Sequence, residues 1–147
     1  MADGMHWEIR VKAGADKVWD YVSDVAQHGE WGMDDMTIKS VTPGPTKVGS
    51  KFEAEGTLLG KRNPSTVTIT DWQPNKMFAF DAEDKSSIMH HTFRFTSEDG
   101  GVLIQRDATA TKRPLWQTLL LPLFKGTIDK DYNGALAKLK TKLEAGS

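Results

Sequence analysis

Hydrophobic and polar residues alternate near the start of the chain and then take up a helical spacing. Trp7, Ile9 and Val11 alternate with charged residues, which is the period-two pattern of a strand with one buried face. Residues 15–24 carry apolar side chains at the spacing of one helix face. The pattern therefore predicts a strand, a helix over 15–24 and a second short helix or turn that ends near Trp31.

Strands and turns alternate over residues 36–111, and this predicts an antiparallel meander. Glycine, proline, asparagine and aspartate mark the turns, at 43–45, Gly60, 74–75, 84–86 and 99–100. Two of these turns fix strand pairing if each is a two-residue hairpin. The turn at 99–100 pairs Phe95 with Ile104, Phe93 with Arg106 and His91 with Ala108. The turn at 74–75 pairs Ile69 with Phe80 and Asp71 with Phe78, although a bulge would shift every pair beyond it.

The last part of the chain predicts a long amphipathic helix. Its apolar stripe contains Ile128, Tyr132, Ala135, Leu136, Leu139 and Leu143. The preceding residues 115–124 are unusually apolar, and we expect Pro122 and Gly126 to kink or interrupt them. This stretch is therefore predicted to be a hinged segment that is more mobile than the helix after it and controls access to the interior.

Composition excludes several classes of function. The chain has 147 residues, 38% of them hydrophobic, and we interpret residues 1–147 as a single domain. Its 19 basic and 20 acidic residues give a net charge of −1, so nucleic acids and anionic membranes are not expected as main partners. The absence of cysteine excludes disulfides and thiolate metal sites. No secretory signal or membrane-spanning stretch is evident, so we expect a cytoplasmic protein without integral membrane association.

Motifs for metals, nucleotides and serine hydrolysis are missing from the sequence. His90 and His91 are adjacent, so on a strand they point to opposite faces and cannot chelate one metal ion together. His6 and His28 are isolated in sequence. We therefore expect neither a metal nor a cofactor.

Several stretches of the chain resemble a known superfamily. They are AGADKVWDYVSDVAQHGEW, GPTKVGSKFEAEG, TVTITDWQPNKMFAF, HTFRFTSEDGGVLIQRD and GALAKLKTKLEA. Over about residues 6–144 they resemble the START-like or SRPBCC superfamily, and within it the polyketide cyclase/dehydrase group, which shares its helix-grip fold with the birch pollen allergen. The resemblance implies an α+β fold in which a seven-stranded antiparallel sheet curls around a long C-terminal helix, with two short helices after the first strand. It also implies an elongated cavity between sheet and helix.

Polar residues on otherwise apolar inward faces are the candidates for chemistry in such a cavity: His91, Arg106 and Asp71. An imidazole can act as a general acid or base, and a guanidinium can hold a carboxylate, enolate or carbonyl oxygen. Asp71 would accept a proton or orient His91. Together they would suit aldol-type ring closure followed by loss of water. The alternatives are a hydrogen-bonded core histidine, an arginine paired with a carboxylate, and an aspartate at a solvated strand end.

Further residues are expected to contact a ligand: Trp31, Arg62, Ile69, Phe78, Phe80, Met89, Phe93, Trp116 and Leu120. Trp31 and Trp116 would stack on a flat ligand and gate its entry, or simply pack. Arg62 would cap the cavity or serve as a plain surface charge.

Three functions are consistent with these features. The leading hypothesis is binding of a hydrophobic small molecule that is polyketide-like, aromatic or lipid. The alternatives are a polyketide cyclase, aromatase or dehydratase that uses His91 and Arg106, and a protein-interaction module related to chaperone activators. The outward residues Glu53, Glu55, Thr66, Thr68 and Thr70 are polar, which disfavours the interaction module. The oligomeric state, monomer or dimer, is left open.

Overall fold

Seven antiparallel strands form one sheet among the residues that this computed structural model describes, namely 4–32, 36–58 and 61–145. The elements in chain order are β1 (Met5–Val11), α1 (Ala15–Val22), a 3₁₀ helix (Val25–Glu30), β2 (Thr37–Ser40), β3 (Lys51–Leu58), β4 (Lys61–Gln73), β5 (Met77–Glu83), β6 (Ile88–Glu98), β7 (Gly101–Lys112) and α2 (Leu115–Glu144). The strand order is β1-β7-β6-β5-β4-β3-β2. The first strand therefore lies beside the last, and the rest follow as a meander.

The C-terminal half of α2 supplies the helical side of the core. Its buried residues are Ala135, Leu136, Leu139 and Leu143, which belong to the predicted stripe. Tyr132 stacks on Trp7 of β1 with ring centroids 4.2 Å apart, and the Trp7 indole Nε1 donates to Asp129 Oδ1 at 3.0 Å. These contacts hold the helix against the sheet, and the predicted helix-grip fold is confirmed.

The hairpin at residues 99–100 has the predicted register. Glu98 pairs with Gly101 across a two-residue turn, and Gly100 has a φ of 80°, which glycine adopts without strain. The three predicted pairs are all present: Phe95 with Ile104, Phe93 with Arg106 and His91 with Ala108. The two polar candidates, His91 and Arg106, consequently share the inward face of β6 and β7 with Phe93.

The hairpin at residues 74–75 differs from the prediction. Gln73 pairs with Met77, so the loop has three residues, and Asn75 takes the positive φ of 64°. A bulge between Ile69 and Asp71 compensates for the extra loop residue, so Ile69 still pairs with Phe80.

The predicted pairing of Asp71 with Phe78 is wrong, because beyond the bulge Asp71 pairs with Ala79 and Trp72 pairs with Phe78. The bulge reverses the alternation of faces, and Trp72 rather than Asp71 packs against the core. The turn predicted at Gly60 lies outside the described residues.

The helices also depart from the predicted boundaries. α1 ends at Val22 instead of residue 24. α2 is one helix from Leu115 to Glu144, so the predicted interruption at Pro122 and Gly126 is wrong, whereas the alternative of a kink stays a prediction. Pro122 removes the donor that the Thr118 carbonyl would use, but residues 118 and 122 are exposed and water can satisfy that carbonyl.

No helix in the described part of the chain combines the length and hydropathy needed to cross a bilayer.

Candidate functional site

A small cavity lies between the sheet, the 3₁₀ helix and α2. Its volume is about 130 Å³. Residues of the 3₁₀ helix, the stretch after it, strands β2 to β7 and α2 line it: Val25, His28, Trp31, Gly32, Met36, Ile38, Ala54, Ser65, Val67, Phe80, Ala82, His91, Arg106 and Tyr132. We call this space the inner cavity. It is mostly apolar but contains a cluster of nitrogen-bearing side chains, and none of the described residues that line it is acidic.

Arg106 places a guanidinium inside this apolar space. The residue is 9% exposed, and its Cζ lies 4.8 Å from the ring centroid of Phe93 and 4.6 Å from that of Tyr132. The two rings sandwich the cation through their π faces. Burial lowers the pKa of Arg106 from its ordinary value. Arginine nevertheless stays charged at neutral pH, so the inner cavity holds a positive charge.

The donors of Arg106 are only partly used. One Nη2–H donates to His91 Nδ1 at 3.3 Å, whereas the buried Nε has no hydrogen-bond partner. No carboxylate faces the guanidinium among residues 4–32, 36–58 and 61–145. A buried cation without a counter-ion is costly, so this arrangement favours an anion or a partly charged oxygen.

His91 is neutral in this environment. Burial, and after it the charge of Arg106, holds the pKa of His91 well below its usual value. Because Nδ1 accepts from Arg106, the ring proton is on Nε2, and His91 presents a donor to its surroundings. The ring also stacks on Phe80 with centroids 5.0 Å apart. His91 is therefore arranged to donate a hydrogen bond, and its one unprotonated nitrogen is already occupied.

His28 and Trp31 come from the 3₁₀ helix and its C-terminal end. The buried His28 donates from Nε2 to the Val22 carbonyl at 2.7 Å, and burial lowers its pKa to about 3. Trp31 is fully buried beside it, with ring centroids 4.8 Å apart, and its Nε1 has no hydrogen-bond partner. Two residues that line the inner cavity, Arg106 and Trp31, thus each have a buried N–H without a partner among the described residues.

A second, more open cleft lies over strands β2 to β5, and its volume is about 630 Å³. It shares Ile38, Ala54 and Ser65 with the inner cavity, but its other lining residues alternate with these along the strands and are mostly polar or charged: Thr37, Lys39, Glu53, Glu55, Pro64, Thr66, Glu83, Asp84 and Lys85. The cleft therefore opens mainly on the outward face of the sheet. Pockets for small organic ligands span roughly 300–1,000 Å³, so the inner cavity of about 130 Å³ has the size for part of such a ligand.

The predicted site residues divide into two groups. Four line the inner cavity: Trp31, Phe80, His91 and Arg106. The others lie elsewhere. Ile69, Phe78 and Phe93 are in the buried core, and Met89 is half-buried. Asp71 is half-buried beyond the bulge, where its Oδ1 accepts from the Trp72 backbone N–H, and Arg62 is exposed beside Glu55, while Trp116 and Leu120 are exposed on α2. Phe93 still contributes by lying under the Arg106 guanidinium.

Sequence reasoning missed His28 and Tyr132 as cavity residues. His28 lies on a short 3₁₀ helix, where neither period two nor period 3.6 indicates an inward side chain. Tyr132 was in the predicted helical stripe, and its π face toward Arg106 is a contact across elements that no local pattern contains. Among the described residues, no group of three or more His, Asp or Glu side chains could hold a metal ion.

The sequence of this chain matches a known protein family. The profile of a family described as "Polyketide cyclase / dehydrase and lipid transport" matches residues 5–144. No curated protein sequence matches the chain.

Solved structures resemble this fold over most of its length. A protein from Thermus thermophilus has a TM-score of 0.79 at 16% identity, covering 98% of this chain and 99% of that chain. A START superfamily protein from Mycobacterium smegmatis has a TM-score of 0.75 at 13% identity, with 98% and 99% covered. The di-domain ARO/CYC StfQ from the steffimycin biosynthetic pathway has a TM-score of 0.77 at 13% identity, covering 97% of this chain and 51% of that chain. At 13–16% identity, the similarity to these structures shows that the chain shares their fold.

Proposed function

Because the chain belongs to the polyketide cyclase / dehydrase and lipid transport family, we propose that it binds a hydrophobic small molecule, polyketide-like, aromatic or lipid, whose acidic or carbonyl oxygen contacts Arg106. One observation carries this proposal: the buried Arg106 guanidinium has no carboxylate partner among the described residues, and its Nε–H has no acceptor. The ligand oxygen supplies both the missing acceptor and the missing negative charge.

The energetics favour an oxygen that carries charge. A charged hydrogen bond contributes about 1.5–3 kcal/mol, roughly twice a neutral one. The Trp31 Nε1–H and the His91 Nε2–H lie around the same cavity and are donors as well. These donors, with no acidic side chain among the described lining residues, favour an acceptor over a cationic ligand.

The apolar part of the ligand packs against the apolar residues of the inner cavity, among them Val25, Val67 and Phe80, and the cavity widens to admit it. Burial of its apolar surface contributes about 25 cal/mol per Å². Two of the similar structures are ARO/CYC proteins of biosynthetic pathways, StfQ and BexL, which supports a polyketide-like ligand.

Titration calorimetry with two matched probes tests the proposal. 1-Naphthoate carries a carboxylate, and 1-naphthalenemethanol has nearly the same shape without the charge. We expect naphthoate to bind at least about tenfold more tightly, which corresponds to roughly 1.4 kcal/mol for a charge-assisted contact. Native mass spectrometry of the freshly purified protein should also show an acidic hydrophobic compound.

Substitution of Arg106 provides the decisive control. Arg106→Leu should remove the preference for naphthoate, whereas Arg94→Leu should keep it, because Arg94 is exposed and pairs with Asp107. Equal affinity of the native protein for both probes, or an unchanged preference in Arg106→Leu, would show that Arg106 does not anchor the ligand.

A second candidate function, ring closure of a poly-β-ketone, is favoured by the same guanidinium. An enolate forms when a methylene proton leaves to water and the electron pair moves onto the carbonyl oxygen. Arg106 is arranged to stabilise that oxygen. The described residues that line the inner cavity include no acidic side chain, and His91 Nδ1 is engaged, so the remaining unprotonated ring nitrogen among them is His28 Nδ1, a weak base because burial lowers the pKa of His28 to about 3. Deuterium exchange at the methylene of benzoylacetone distinguishes the two functions: acceleration by the protein supports catalysis, and binding without acceleration supports binding alone.

A further inference from the structure

An exposed apolar surface covers the first three turns of α2, on the side of the helix opposite the stripe that packs against the sheet. Six large side chains form it, and we call them the α2 apolar face: Leu115, Trp116, Leu119, Leu120, Leu123 and Phe124. Leu115 is 73% exposed and Leu123 is 75% exposed. Large exposed apolar patches on folded proteins mark interaction surfaces.

The six side chains lie together on one side of the helix. At 100° per residue, residues 115, 119 and 123 form one row, and 116, 120 and 124 form an adjacent row. The two rows span about half of the helix circumference. The exposed Thr118 and Lys125 fall on the opposite half. A helix that lies in a membrane interface has this arrangement: one apolar side, which includes Trp and Phe, and a polar side opposite it.

Basic residues flank this face in the sequence. Residues 108–128 contain three basic residues and no acidic residue, although the whole chain has a net charge of −1. The basic residues lie at the two ends of the face, Lys112 and Arg113 before it and Lys125 after it. Lys125 also pairs with Asp129 at 2.7 Å, so part of its charge is offset. Lys112 is exposed.

We propose that residues 112–125 dock on the surface of an anionic lipid bilayer, with the α2 apolar face in the interface and the flanking basic residues at the headgroups. Charge complementarity selects this occupant over a second copy of the chain. Two such faces in contact would bring basic ends together without an acidic residue of the segment to offset them. An anionic bilayer supplies both the apolar environment and the negative charge.

The docked segment belongs to the same helix as the ligand site but presents another side of it. Tyr132, which lines the inner cavity, lies eight residues after Phe124, or about 12 Å along the axis, and at 100° per residue it falls opposite the centre of the α2 apolar face. The docking itself does not depend on the proposed ligand, because none of the six residues lines the inner cavity.

Vesicle co-sedimentation tests the proposal with the full chain. We expect binding to vesicles of phosphatidylcholine mixed with phosphatidylglycerol, much weaker binding to phosphatidylcholine alone, and a decrease as salt is raised. The double variant Leu119→Ser/Leu123→Ser should reduce partitioning by at least about tenfold, since both side chains are exposed and their burial supplies affinity. Lys112→Glu should weaken binding to the mixed vesicles only.

Matched controls separate docking from general stickiness. Val41→Ser/Val48→Ser removes two exposed apolar side chains elsewhere and should leave vesicle binding unchanged. A blue shift of tryptophan fluorescence on binding should disappear in Trp116→Phe. Failure to bind mixed vesicles overturns the proposal. Sedimentation equilibrium that shows a dimer dissociated by Leu119→Ser/Leu123→Ser also overturns it, because a second copy then covers the face.

Discussion

Arg106 sits at the base of the inner cavity with His91 and two aromatic rings around it. The rings and the imidazole compensate the buried charge only in part, since the Nε–H has no acceptor. The folded protein without ligand therefore bears an energetic penalty that a bound anion relieves. Removal of the Arg106 charge should therefore increase the stability of the ligand-free protein and weaken ligand binding.

We predict that Arg106→Leu raises the free energy of unfolding by about 1–4 kcal/mol while it abolishes naphthoate binding. Replacement of a poorly compensated buried charge by an apolar side chain of similar volume removes a desolvation penalty. Urea denaturation of the ligand-free proteins measures the change. Arg94→Leu is the matched control, and loss of its exposed ion pair with Asp107 should shift stability by less than about 1 kcal/mol. A destabilised Arg106→Leu would show that the charge is well compensated.

The buried His28 leads to a second prediction, that the folded protein is less stable at acidic pH. Its pKa in the folded state is about 3, whereas the unfolded chain protonates near 6.5. Between these values the unfolded state binds more protons, so stability falls as pH falls. The loss from pH 6.5 to pH 5 should reach about 2 kcal/mol for this residue, and His91, whose pKa is also lowered by burial, should add to it.

Urea midpoints at pH 7 and pH 5 measure this effect, with His28→Gln expected to flatten the dependence. His6 is the control of opposite sign. Its hydrogen bonds to Glu8 and Asp107 raise its pKa, so it stabilises the fold at low pH, and His6→Gln should not flatten the loss. Equal stability of the native protein at both pH values would contradict the buried, neutral state of His28.

Part of this site could be predicted from the sequence and part could not. A two-residue turn at 99–100 is enough to place His91, Phe93 and Arg106 on one inward face, and the structure has that register. The cation over two rings, the neutral tautomer of His91 and the inward His28 depend on contacts between distant elements. Local spacing carries no information about such contacts.

At the scale of elements, the hairpin between β4 and β5 differs from the prediction in its loop length and in a bulge, and the two differences compensate for each other. The loop has one residue more than predicted, and the bulge after Ile69 absorbs it. Pairs before the bulge are therefore as predicted, whereas Asp71 exchanges its face with Trp72. A bulge adds one residue without a distinct sequence signal, so one predicted site residue was misplaced.

For α2, we predict that hydrogen exchange is faster over residues 115–124 than over residues 135–143. The first stretch is largely exposed and lacks one backbone donor at Pro122, whereas the second contains Ala135, Leu136, Leu139 and Leu143, all buried. Exchange followed by mass spectrometry measures the difference. Pro122→Ala restores the missing donor and should slow exchange in 115–124, while Pro114→Ala, at the helix N-cap, should not. Equal protection along α2 would contradict a mobile segment.

At the scale of the whole molecule, the family resemblance predicted the arrangement of sheet and helix, and this arrangement is confirmed. The volume of the inner cavity could not be predicted from the resemblance. It is the small difference between the volume that the sheet and the helix enclose and the volume that their side chains fill. The inner cavity is about 130 Å³, whereas the more open cleft of about 630 Å³ is lined mainly by polar and charged side chains. The side chains that line the inner cavity therefore decide how large a ligand can reach Arg106.

Enlarging a residue that lines the inner cavity should reduce the room for a ligand. Ala54 is half-buried and lines this cavity, so Ala54→Leu fills part of its volume of about 130 Å³. We predict that Ala54→Leu weakens naphthoate binding at least about tenfold in titration calorimetry, since the added side chain occupies space that the ligand needs. Ala137→Leu, on the exposed side of α2, adds the same side chain and should leave the affinity unchanged. Native affinity in Ala54→Leu would mean that the ligand binds elsewhere.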